Sequence, residues 1–459
     1  MKRIAWVLVA ALAAFLAGCQ GPCSSITAVN APPRTGAVDF TTIAAVGTSI
    51  SAGFQSGGLV DHHQTHAFPA ILAASLGKQV PAGGTGDFTF DACSPDGVPP
   101  LLAVQSYVPT IISSTGRTPG APTNLGQATD YHNLAVPGAL MADLVDSTLY
   151  TQDPNPVRGS GYSTVMFDIT WRHRGLGIQQ LIRRNPTFIT FEFGANEVLG
   201  AAVDGTAAEI FPTDQFAAAL DGALNTLHAA LPNAKLALLN VPDVTTIPFC
   251  TTFQPFTLDP QSGQPVPLVG PGGGALGAGD LVLLTALDSL AVGTGFPVGT
   301  VSYLTGAPGN GRPLLDPQVL SAGEVGSIET ALGSMNAAIA SEAATRAYVA
   351  PVDLNGLLAT IATNGLRVGP TLYTSAFVTG GLFSLDGIHP NDLAHAVIAN
   401  SVIDAVNAKF GERLPHVRLQ DWGSANASAL SPAGAPSGAP VRVDGLASRL
   451  RLLFPRARR

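Results

Sequence analysis

The sequence predicts an α/β protein with a parallel sheet covered by helices on both faces, and three observations predict it. Short apolar runs at 41–46, 132–136, 187–193, 235–241 and 347–352 read as buried strands. Helical patterns at 67–76, 178–184, 214–231 and 322–346 alternate with them, and a last one follows at 391–410. Such alternation marks a parallel sheet. Three of the runs also end in a small or polar cluster: Gly47-Thr48-Ser49-Ile50-Ser51, Pro137-Gly138-Ala139 and Gly194-Ala195-Asn196-Glu197. Ligands of open parallel sheets bind outside the carboxyl ends of the strands, so the clusters are expected around one crevice.

Taken in order, the chain opens on an export signal at 1–18. Lys2 and Arg3 precede an apolar run at 4–16, and Leu16-Ala17-Gly18-Cys19 follows. Thirteen apolar residues fall short of the ~20 that a spanning helix needs. Leu-Ala-Gly-Cys resembles a bacterial lipobox, which implies cleavage before Cys19, acylation of that residue, and membrane anchoring of an exported lipoprotein. Gln20 beside it favours an outer membrane where the source has two. A Pro/Ser-rich tether at 19–39 leads to the main domain at 40–422. Cys23 lies in the tether, so Cys93 with Cys250 is the preferred disulfide of an oxidising compartment, two free thiols being the alternative.

Within the main domain the first run feeds the Ser49 cluster. His62, His63 and His66 follow it, and with only Asp61 as a nearby carboxylate they read as loop histidines at the rim of a pocket; no metal site is expected. The strand-helix rhythm breaks twice, at 77–130 and at 251–317, the second dense in Gly and Pro. Loops of that length are rarely idle, and either flexible insertion or a wall over the site accounts for them. Asp243, after the fourth run, reads as a turn residue. Pro390 and Gly411 bracket the last helix as start and stop signals. The stretch at 423–459 turns to Ala, Ser, Gly and Pro and ends in a segment with six Arg and one Asp, either a solvated tail or a contact for an anionic surface.

Composition narrows the function classes. With 46% hydrophobic and 12% charged residues the chain is too apolar for a disordered protein. Its 23 Lys+Arg against 31 Asp+Glu leave a net charge of -8, which argues against a nucleic-acid partner.

The clusters point to nucleophilic catalysis. A serine needs a base, and the base needs a partner that fixes its tautomer. Asp386-Gly387-Ile388-His389 supplies both, because a spacing of three lets the carboxylate accept from Nδ1 while Nε2 faces Ser49. Backbone N–H groups of Ser49 and Gly138 and the side-chain amide of Asn196 suit an oxyanion. Gly-x-Ser-x-Gly, the elbow of α/β-hydrolases, is absent here, since position 51 is Ser.

The four blocks together, Ser49, Gly138, Asn196 and Asp386 with His389, resemble the SGNH hydrolases, the GDSL-type esterases and lipases, over roughly residues 40–411. The resemblance implies a three-layer α/β/α sandwich with a flavodoxin-like parallel sheet of about five strands, a Ser49-His389-Asp386 triad without cofactor or metal, and hydrolysis of carboxylic esters through an acyl-enzyme. Thr48 and Ile50 depart from the family's Gly-Asp-Ser-Leu. Glu197 stands where Asp is more frequent, and its expected role is to bond nearby backbone. Lipid or small acyl esters are the expected substrates. Polysaccharide deacetylation and acyl transfer by the same residues are alternatives, and a non-catalytic binding lipoprotein is a third.

Overall fold

Ile-Ala-Ala-Val-Gly places no polar side chain in water, and it forms strand β1 (Ile43–Gly47), buried along its whole length. In this computed structural model, residues 36, 38–107, 110–152, 163–422 and 441–443 are described. Strands β2 (Phe188–Glu192), β3 (Lys235–Leu239) and β4 (Val349–Val352) complete a parallel sheet in the order β1-β2-β3-β4. Gly47 is in register with Glu192, and Glu192 with Leu239, so three strands end together at one edge.

The run 132–136 does not become a strand. It meets β1 through a single parallel bridge, Ala45 to Asn133, with Ala45 N donating to His132 O and Leu134 N to Ala45 O, both at 2.8 Å. The N–H groups of His132 and Asn133 go to Thr89 O instead. Asn133 Oδ1 accepts from Ala135 N at 3.2 Å, a local bond that competes with a ladder. The sheet therefore has four strands and not about five. With the bridge counted as a position, the spatial order of the five runs is 2-1-3-4-5, the flavodoxin-like order.

Alternate residues of each strand enter opposite cores, as a period of two requires. Ile43, Ala45, Phe188, Ala237 and Leu239 pack with helices α3 (Phe68–Ser75) and α9 (Asp392–Phe410). Ala44, Val46, Ile189, Phe191, Leu236 and Leu238 pack with α4 (Gly177–Arg184), α5 (Asn196–Asp204), α6 (Thr213–Ala230) and α7 (Ala322–Thr345). Three layers result. Between β4 and α9, α8 (Leu354–Asn364) shares Leu354 and Leu357 with the first core. Helix ends follow their sequence signals: Ser321 and Glu324 form a capping box, Asn391 Oδ1 caps α9 through Ala394 N, and Gly411 closes α9 at φ 70°.

The second insertion folds into structure of its own. A short hairpin joins Phe256–Leu258 to Pro265–Pro267, Leu281–Val282 pairs antiparallel with Val319–Leu320, and Leu268, Leu283, Phe296 and Leu314 are buried. In the tail, Val441–Val443 pairs in parallel with Thr110–Ser113. The export signal, Cys19, Cys23 and the Arg-rich end lie outside the described residues, apart from Arg442 in that short strand. Among the described residues no helix is long and apolar enough to cross a membrane.

The expected disulfide does not form. Cys93 and Cys250 are both free and buried, and each thiol donates within its own loop, Cys93 Sγ to Asp91 O at 3.4 Å and Cys250 Sγ to Val244 O at 3.5 Å. Burial pushes both thiols well above the ordinary thiol range, so neither is a ready nucleophile for exchange.

Candidate active site

Ser49 opens α1 (Ser49–Ala52), a single turn directly after β1, and is buried. What holds this turn is a carboxylate that sequence reading passed over. Glu192, the last residue of β2, accepts from Thr48 N at 3.0 Å, Thr48 Oγ1 at 2.8 Å, Ser51 N at 3.3 Å and Ser51 Oγ at 2.9 Å. Burial pushes its carboxyl above the usual range, and these donors pull the other way. The carboxylate thus reaches the turn that carries Ser49 from the neighbouring strand. The only sequence signal is an acid closing the largely apolar Phe-Ile-Thr-Phe-Glu. Gly47 makes the approach possible, because a Cβ there would lie 2.8 Å from Glu192 Oε2 and 2.5 Å from Ser51 Oγ.

Asp386 and His389 sit on the loop before α9, both buried. Asp386 Oδ2 accepts from His389 Nδ1 at 2.9 Å and from Gly57 N at 3.0 Å. Its other oxygen accepts from Ser384 Oγ and from the N–H groups of Ile388 and His389, at 2.9 to 3.0 Å. Burial would raise this carboxyl, but the imidazole and these donors outweigh it and hold it down at about 2. His389 Nδ1 is thereby committed to the acid. Its Nε2 is buried without a hydrogen-bond partner among the described residues.

This loop is stitched to the segment that follows Ser49. Besides Gly57 to Asp386, Ser56 N donates to Ser384 Oγ at 2.9 Å and Leu385 N to Ser56 Oγ at 3.3 Å. Phe54 bonds Ser49 O through its N–H at 3.0 Å, and its ring lies 4.9 Å from the His389 ring. Residues more than 300 apart in sequence thus share one framework.

Asn196 begins α5, and its Nδ2 donates to Ala139 O at 2.7 Å. The next residue does the same office: Glu197 Oε1 accepts from Met141 N at 2.6 Å, the backbone role expected of it. Gly138, with φ 81°, lies on the loop that both residues hold. Asp243 is a turn residue as expected, bonding Thr245 N and Oγ1 at 2.9 and 2.7 Å.

A mostly apolar cleft of about 500 Å³ lies beside the Asp386-His389 loop, lined by Phe253, Phe256, Leu284, Val301, Tyr303 and Phe377 among others. Leu284 and Phe377 flank Gly387 closely enough that a Cβ there would meet them at 3.3 and 3.2 Å. The second insertion builds most of this wall.

The histidines of α2 (Asp61–Thr65) and its C-terminal cap are not isolated. Asp392, the first residue of α9, bonds His63 Nδ1 at 2.9 Å and His66 Nδ1 at 3.0 Å. A carboxylate more than 300 residues away completes a set that the local sequence lacked.

The fold is of the α/β/α sandwich class, with a flavodoxin-like sheet, Ser49 following β1, Asn196 following β2, and an Asp386-bonded His389 on a loop tied to the segment after Ser49. The model of the GDSL-like Lipase/Acylhydrolase family matches residues 43–402, and the chain belongs to that family. Among solved structures it is similar to an extracellular lipase from Streptomyces rimosus, with 14% identity over 80% of this chain and 99% of that one and a TM-score of 0.33. A phospholipase A1 from Streptomyces albidoflavus shares 13% identity over 81% and 100% of the two chains, with a TM-score of 0.31. A carbohydrate esterase family 2 enzyme with a carbohydrate binding domain, from Corynascus thermopiles (Myceliophthora fergusii), shares 12% over 84% and 69%, with a TM-score of 0.33. Among curated proteins, nothing matches the sequence.

Proposed function

We propose that the protein hydrolyses acyl esters through an acyl-enzyme on Ser49, as an exported lipoprotein anchored by acylated Cys19. His389 takes the serine proton as Ser49 attacks the ester carbonyl, and returns it to the leaving alcohol. Asp386 fixes the Nε2 acceptor tautomer and stabilises the imidazolium. Asn196 Nδ2, with the backbone N–H groups of Ser49 and Gly138, receives the charge that develops on the carbonyl oxygen. Water then attacks the acyl-enzyme, with His389 as base again.

The observation that carries this reading is the committed, oriented imidazole. Its Nδ1 is bonded to an ionised carboxylate, its Nε2 has no partner among the described residues, and its loop is tied to the segment that follows the serine. The cleft selects within the ester class. Phe256, Leu284, Val301 and Phe377 offer apolar surface for an acyl chain, and the hydroxyls of Thr252, Thr257 and Tyr303 that also line the cleft are already bonded to backbone carbonyls, which favours acyl esters over polysaccharide acetates.

Aryl esters of graded acyl length, assayed beside acetylated glycans, test the proposal. The expected result is turnover of the aryl esters that rises with chain length and disappears in Ser49→Ala. Turnover confined to the glycans would refute the substrate assignment, and undiminished turnover in Ser49→Ala would refute the mechanism.

A further inference from the structure

Among the described residues, and outside the groups assigned to ester hydrolysis, a cluster of metal-ligating side chains joins α2 to the start of α9. Asp392 is buried, and three imidazoles surround its carboxylate. Oδ1 is saturated by two donors, Gln55 Nε2 at 2.8 Å and His63 Nδ1 at 2.9 Å. Oδ2 faces His66 Nδ1 at 3.0 Å and His62 Nε2 at 3.7 Å. The last distance is too long for a hydrogen bond, so a proton-mediated knot accounts for His63 and His66 and leaves His62 unexplained.

An ion accounts for it. Four-coordinate zinc with bonds of about 2.0 Å sets its ligand atoms about 3.3 Å apart, between the 3.0 and 3.7 Å seen here. No two of the three donor atoms, one each from His62, His66 and Asp392, are further apart than 4.8 Å. His62 and His66 stand at i and i+4 with ring centroids 4.3 Å apart, and the Trp422 ring meets His66 edge-on at 5.0 Å, limiting its rotation. Gln55 and His63 hold the carboxylate from the side away from the ion, the outer bonding that orients a metal-binding carboxylate. His62 is largely exposed, which gives an ion a way in.

We infer that His62 Nε2, His66 Nδ1 and Asp392 Oδ2 form a binding site for a zinc-class divalent cation. A fourth position is left to water. Two imidazoles with one carboxylate suit zinc or cobalt, whereas magnesium and calcium need a set of oxygens that is missing among the described residues here. On binding, His66 gives up the Nδ1 proton that now bonds Asp392 and carries it on Nε2. The ion would clamp α2, which follows the Ser49 segment, onto α9, which follows His389, so its effect is on stability.

The test uses the full chain stripped by a chelator and dialysed against ZnCl2. One zinc per chain is expected, with four-coordinate visible absorption when CoCl2 replaces it, and with a thermal midpoint raised by roughly 5 °C at a hundredfold excess over Kd. His62→Ala should weaken zinc binding by at least about tenfold. Since the His62 side chain makes no hydrogen bond among the described residues, this variant should fold, as circular dichroism would verify. His416→Ala, at an exposed pair with Asp404, should bind zinc like the parent. No stoichiometric zinc, or equal binding by His62→Ala, would overturn the site and show only a hydrogen-bonded knot. Because the readout is metal content and not turnover, neither result bears on ester hydrolysis.

Discussion

Two side chains at the edge of the sheet divide the work of holding and reacting. In the proposed mechanism Asn196 donates to an oxyanion, an interaction stronger in the transition state than in the ground state. Asn196→Ala should therefore lower kcat about 100- to 1000-fold with little change in KM, as steady-state kinetics on an aryl ester would measure. Glu192 touches no reacting atom on this account; it positions the turn that bears Ser49. Glu192→Ala strands buried donors of Thr48 and Ser51, and should cost about 2–3 kcal/mol in urea unfolding as well as activity. Glu192→Gln keeps one acceptor oxygen and should recover part of both. A Glu192→Ala chain as stable as the parent would show that the turn needs no acid.

Among the elements, the loop before α9 sets the response to pH. Asp386 is depressed to about 2, so the stability it contributes is complete above the ordinary aspartate value of about 3.9 and is lost as pH falls toward 2. The acid limb of the pH-rate profile should accordingly show no break from Asp386 until near pH 2. The wall of the cleft sets selectivity: Phe256→Ala, at a partly exposed position, should raise KM roughly tenfold for a long-chain aryl ester and leave an acetate ester unchanged. The four strands, the main helices and the motif residues at strand ends were legible because strict apolar runs and helical periodicity fix them locally. What was not legible depends on partners far along the chain. Asn133 looked like part of a strand until Thr89 took its N–H. Cys93 and Cys250 looked like a pair until each found a carbonyl in its own loop. The carboxylates of Glu192 and Asp392 acquire meaning only beside Thr48 and His66. Helix α5 went unread because Ala195 before it offers no capping side chain, whereas α8 does carry a local start signal in Asp353, whose carboxylate accepts from Gly356 N.

In the molecule as a whole, the proposed function places a lipid anchor at Cys19 ahead of the esterase domain. Cys19→Ser should move the protein from the detergent phase to the soluble fraction on phase partitioning, and unchanged retention would assign the anchoring to another segment. The central claim concerns one atom, Ser49 Oγ, made reactive by the folded framework around it. The most direct measurement is the site of covalent labelling by a fluorophosphonate on the folded chain, read by peptide mass spectrometry. The account predicts a single adduct on Ser49, absent after heat unfolding and strongly slowed in His389→Ala. An adduct on Ser51, or none on a chain that circular dichroism shows to be folded, would contradict it.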